Sequence, residues 1–220
     1  MSQNDYDAIA IRLAKTTFKK WKKDWKAGNP SSNYSNQIEI KGLEFDLDST
    51  IYFNTVQGQR IIGFEVFKTT GADARDIDDD DDYQTPYILI DFGIEESWLP
   101  DYWNEIYFIL VDIMRHEIEH ILQDGIGIGN YVTGKPNEDD SLERLLIQQG
   151  YLPQSAYLIL PKEIDANLYG IRLESKLRKE SMINTINRYL DTRGLDDVER
   201  LDVITCWRNR AKKMEGIPEF

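Results

Sequence analysis

"VDIMRHEIEHILQDG", residues 111–125, holds both histidines of the chain, His116 and His120, four residues apart with Glu117 beside the first. On an α-helix, side chains at that spacing lie one turn apart on nearly the same face. The surrounding pattern is helical. Leu110, Met114, Ile118 and Ile121 make an apolar stripe next to the histidine face, so the helix is expected to bury one side and turn the other toward a cleft. The pattern begins near Pro100 and stops at Asp124-Gly125.

Two imidazoles on one face can point at a single ion, and zinc favours such nitrogen ligands in tetrahedral geometry. Glu117 lies about 100° round the helix from His116 and within about 60° of His120, beside the ion without binding it. A carboxylate there takes a proton from water that zinc has acidified, which is the physical reason for H-E-x-x-H as a hydrolytic motif. Zinc needs a third protein ligand. With no third histidine, that ligand is a carboxylate or Cys206. Glu163 in "LPKEIDANLYG" is the favoured candidate, in the first turn of an expected helix that starts with Pro161. Ala166 and Gly170 follow on its face and permit close helix approach, and Asn167 is placed to hydrogen-bond a ligating imidazole. Asp165 is the runner-up ligand, and Glu119 is read as solvent-facing or as a support to the ligands.

Around this stretch the chain changes period. Residues 5–27 read as a helix, with Ala10, Leu13, Thr17, Trp21 and Trp25 at helical spacing, several lysines on the other faces, and Gly28-Asn29-Pro30 as its stop. A basic amphipathic helix suits a membrane surface or nucleic acid; the simpler reading, which we adopt, packs the tryptophans on the protein body and leaves the lysines in water. Residues 37–93 alternate like strands. "TIYFNTV" and "RIIGFEVFK" about Gln57-Gly58 read as a hairpin, and "PYILIDFGI" as a further strand. "GADARDIDDDDD", with its run Asp78 to Asp82, reads as a solvated loop, and "GIGIGNYVTGKPNEDD" as a second loop. Residues after 140 are helical throughout. We expect an N-terminal helix over residues 1–30 and one α+β domain over 31–220, with a small mixed sheet followed by the histidine helix and a helical C-terminal part.

Hydrophobic content of 41% and charged content of 30% are those of a globular protein. A net charge of −13 argues against general nucleic-acid binding. A single cysteine, no signal-peptide pattern and no long apolar run give the expectation of a cytoplasmic protein without a membrane span, incorporation into a larger particle remaining open.

"HEIEH" (116–120) with "EIDAN" (163–167) downstream resembles the zincin metallopeptidases, and among them the gluzincins, whose third ligand is a glutamate on a later helix. The E-x-x-A-N pattern is also similar to that of the ImmA/IrrE-like metallopeptidases. The resemblance covers roughly residues 86–175. It implies a zincin-like fold, a zinc-dependent peptidase acting on a peptide or protein, and an edge strand that pairs with the substrate backbone, a place that residues 86–94 hold in chain order. The chain departs from the thermolysin-like pattern in three ways, the first being the 42 residues that separate His120 from Glu163. Asn167 stands where a later aspartate is usual, and no histidine remains to stabilise an oxyanion. That task falls to Tyr151, Tyr157, Tyr169 or Arg172.

The expectation is therefore a zinc metallopeptidase with His116, His120 and Glu163 as metal ligands and Glu117 as general base. Two rival expectations accompany it: a non-catalytic zincin-fold scaffold within a larger, for instance viral, assembly, and a regulatory protease acting on one partner.

Overall fold

A computed structural model describes residues 2–40, 43–53, 65–74, 86–94, 99–124 and 141–220. Its contacts divide the chain into two compact units, Met1–Thr133 and Gly134–Phe220.

The first unit holds α1 (Gln3–Lys26), β1 (Ser31–Ile40), β2 (Leu43–Tyr52), β3 (Glu65–Ala74), β4 (Pro86–Gly93) and α2 (Leu99–Asp124). The strands form one mixed sheet in the order β1-β2-β4-β3. β1 and β2 are antiparallel, β2 and β4 parallel, and β4 and β3 antiparallel. Ile40 pairs with Leu43, so "QIEIKGLEFDL" is itself a hairpin, with only residues 41–42 between its strands. The hairpin expected about Gln57-Gly58 is not seen in the described strands, because β4 lies between β2 and β3; residues 54–64 lie outside the described set. β3 also runs through Gly71-Ala72-Asp73-Ala74, which the sequence placed in a loop. Its register with β4 shifts twice, between Val66 and Lys68 and between Thr70 and Asp73, as bulged strands do. The aspartate run 78–82 and the loop at 125–140 lie outside the described residues.

One face of the sheet makes the core. Leu43, Phe45, Leu47 and Ile51 of β2 are buried at alternate positions, with Ile88, Ile90 and Phe92 of β4, the period-2 signature of a half-covered strand. α1 and α2 pack on each other, and α1 also packs on β1. Trp21 of α1 is fully buried, with its ring 5.4 Å from Phe92 and its indole N–H donating to the Ser49 carbonyl. Leu13, Ala14 and Thr17 are buried beside it, whereas Lys15, Lys19, Lys20, Lys23 and Lys26 are exposed. α1 is therefore part of the first unit's core, and its lysines form its wet face. Gly28, at φ +79°, ends it. The stripe on α2 is completely covered: Leu110, Met114, Ile118 and Ile121 all have no exposed surface.

A buried cation joins the two helices. Arg115 has no exposed surface. Its Nε donates to Asp7 Oδ1 at 3.2 Å, its Nη1 and Nη2 donate to Glu119 Oε2 at 3.1 Å, and Nη2 also reaches Gln3 Oε1. Glu119 is thus buried on the guanidinium rather than facing solvent, since Arg115 one turn earlier draws it inward. A guanidinium supplies several donors in a fixed fork and keeps its charge, so α1 and α2 are held at one register.

The second unit holds α3 (Ser141–Gln148), α4 (Gln154–Tyr157), α5 (Pro161–Arg178), α6 (Met182–Asp191) and α7 (Asp197–Ala211). Leu158, Leu168, Ile171, Ile186, Leu190 and Trp207 are among the residues of its core, and the Trp207 indole donates to the Leu158 carbonyl at 2.7 Å. α7 begins with a capping box: Asp196 accepts from the backbone N–H of Val198 and Glu199, and Glu199 accepts from that of Asp196. The chain is α+β, and no described helix is long and apolar enough to cross a membrane.

Replacing Arg115 by Met leaves two buried carboxylates without their cation. Loss of one partner of a buried pair costs roughly 3–5 kcal/mol, so urea denaturation of Arg115→Met is expected to show a loss of that size; a change below about 1 kcal/mol would contradict the role given to this residue.

Candidate metal centre

α2 presents both histidines as its periodicity predicts. His116 Nε2 and His120 Nε2 face each other at 3.0 Å, with ring centroids 4.7 Å apart and ring planes at 78°. Facing lone pairs repel, so two such nitrogens need a proton or a cation to share. His120 Nδ1 lies 2.9 Å from Gln123 Oε1. The amide oxygen only accepts, so Nδ1 carries the hydrogen and Nε2 keeps its lone pair for the shared partner. Gln123 does for His120 what the sequence reading asked of Asn167. A glutamine three residues after a helical histidine was a signal available in the sequence.

Glu117 is buried, and its Oε1 lies 4.0 Å from His116 Nε2. Its carboxylate stands beside the imidazole pair without covering it, as the turn of the helix requires. One face of α2 therefore carries two metal-type nitrogens and a base next to them, and the adjoining residues Arg115 and Glu119 fix that face through α1.

In the second unit, Glu163 is at the third position of α5 after Pro161, where the helix dipole favours a carboxylate. Its side chain is only 1% exposed. Arg144 of α3 donates from Nη2 to Glu163 Oε1 at 2.8 Å and from Nη1 to the Tyr157 hydroxyl at 3.3 Å, with its guanidinium 5.2 Å from the Tyr157 ring centre. Burial first, and then the charge and hydrogen bond of Glu163, push the Tyr157 hydroxyl well above the usual tyrosine range against the opposite pull of Arg144. Tyr157 therefore stays a neutral O–H donor across ordinary pH.

The remaining candidates separate clearly. Asp165 is held by Arg210 of α7 through two contacts, of 2.7 and 2.8 Å, which commits it to joining helices. Asn167 accepts from the Tyr189 hydroxyl of α6 at 3.0 Å. Tyr169 sends its hydroxyl to the Glu215 carbonyl at 3.5 Å, and Arg172 stacks over the Tyr169 ring. Tyr151 is 74% exposed. Of the four oxyanion candidates, Tyr157 is the one set beside Glu163. The sequence reading missed Arg144, because "SLERLLIQQG" carries no sign that α3 will bring an arginine to the first turn of α5.

No protein-family model, curated protein or solved structure matches the chain.

The raised pKa of Tyr157 gives a sign for stability against pH. A group whose folded pKa lies above its unfolded value near 10 contributes fully below that value and loses its contribution as pH rises past it. The stability difference between wild type and Tyr157→Phe, measured by urea denaturation, is expected to be flat near neutrality and to shrink above about pH 10. A difference that stays constant through the alkaline range would contradict the buried, Glu163-linked hydroxyl.

Proposed function

We propose that the chain is a zinc-dependent hydrolase of zincin-like fold, acting as a peptidase, with His116, His120 and Glu163 as the protein ligands. The observation that carries this reading is the pair of Nε2 atoms facing each other at 3.0 Å, one of them fixed in tautomer by Gln123. That arrangement fits a cation sharing both nitrogens, and the two histidines with Glu163 make a donor set of the kind zinc accepts. Glu163 is preferred over Asp165 because Arg210 already holds both oxygens of Asp165.

Bound zinc would acidify water and polarise a carbonyl oxygen. The rest of the chemistry falls to the chain's own groups. Glu117 accepts the water proton and delivers it to the leaving amine, so a single carboxylate serves first as base and then as acid. Its burial and its place beside His116 suit that role. Tyr157, kept protonated, is the donor assigned to the developing oxyanion in place of the histidine this chain lacks.

Backbone pairing with a substrate at residues 87–92 is excluded, because β4 is hydrogen-bonded on both sides, by β2 and by β3. Among the described strands β3 ends the sheet, and it contacts α2, so its outer edge is the strand position we assign to an extended peptide. The scaffold alternative has lost one support, since α1 is packed into the first unit rather than held apart as a basic arm.

The test combines elemental analysis with cleavage of a peptide library, with and without a chelator. Wild type is expected to carry about one zinc per chain and to lose cleavage with the chelator. Glu117→Gln should keep the zinc and lose at least about 100-fold in turnover, whereas His120→Ala should lose the zinc. Undiminished cleavage by Glu117→Gln would overturn the general base. Zinc without cleavage of any peptide would favour the scaffold, and failure to bind zinc would remove the reading altogether.

A further inference from the structure

We propose that Arg144 is the resident counter-cation of Glu163, aiming its carboxylate and setting the metal affinity of the site; this rests on the ligand set proposed above. A carboxylate with 1% of its side chain exposed is costly to bury unless a positive group stays with it. Arg144 supplies that group at 2.8 Å through Nη2. It reaches in from α3 and is itself held from a second side, by the hydroxyl and the ring of Tyr157. The guanidinium cannot give up its proton, so its charge is permanent. Glu163 Oε1 is therefore engaged by a permanent cation before any metal binds.

Two consequences follow from this arrangement. Without metal, Arg144 holds the Glu163 carboxylate in one orientation, so the ligand is prepared before the ion arrives. With metal, the ion meets a carboxylate whose charge is already partly balanced, and a second positive group stands close to it. Like charges at such range weaken binding appreciably. Arg144 thus stabilises the empty site and loosens the filled one, which makes it a positioning residue acting through Glu163.

The experiment is zinc titration of the full chain at pH 8, by calorimetry with a competing chelator, together with thermal unfolding with and without zinc. Arg144→Gln, which removes the charge but keeps a hydrogen-bond donor, is expected to lower the zinc dissociation constant about tenfold or more. It should also lower the unfolding temperature of the metal-free chain and enlarge the upward shift that zinc produces. Arg144→Lys, which retains the charge, should return both readouts close to wild type. Unchanged or weaker zinc binding in Arg144→Gln overturns the proposal while leaving the ligand set intact, provided Glu163→Gln weakens binding. If Glu163→Gln leaves zinc affinity unchanged, Glu163 is not a ligand, and the ligand set and the role of Arg144 fall together.

Discussion

Two imidazole nitrogens held face to face at 3.0 Å cannot both present bare lone pairs to each other. Either one ring donates a hydrogen to the other or the two share a cation. The local structure is built to prevent separation. Both rings project from α2, the apolar stripe of that helix is completely buried, and Gln123 fixes the orientation of His120. In the proposed reading the shared species is a metal, and the neighbours favour a cation. Glu117 sits 4.0 Å from His116 Nε2, and a buried carboxylate beside two nitrogens favours positive charge at that point.

The support for this geometry is itself electrostatic. Arg115 and Glu119 alternate along α2 with His116 and His120; the guanidinium reaches Asp7 and Gln3 of α1, and the Glu119 carboxylate accepts from that guanidinium. One face of α2 therefore carries the histidine pair while the next fastens the helix to α1. This explains why an acidic protein retains a fully buried arginine at this place. It also shows how the N-terminal helix, whose lysines first draw the eye, takes part in the site through its apolar and acidic residues.

Much of this was legible in the sequence. The helix bearing the histidines, its apolar stripe, the start of α5 at Pro161 and the stop at Gly28 all follow from local periodicity and capping. The sheet was harder to read. The alternation in 37–52 identified strands but hid a two-residue connection at 41–42, and the order β2-β4-β3 depends on a parallel pairing across a long stretch of chain. Strand order is set by tertiary packing, which local patterns do not encode. The same limit applies to Glu119 and Arg144. Their partners, Arg115 and Glu163, were visible residues, but only the folded chain makes Glu119 buried and places Arg144 on Glu163. Asp165 and Asn167 were drawn toward the site by proximity in sequence, whereas the fold uses them to fasten α5 to α7 and α6.

The central claim is that His116 and His120 bind one zinc ion together with a carboxylate. X-ray absorption at the zinc edge on the zinc-loaded chain reads this most directly. The account predicts two imidazole nitrogens at about 2.0–2.1 Å and oxygen in the remaining positions. A shell containing sulfur, or one made of oxygen alone with no imidazole scattering, would contradict it.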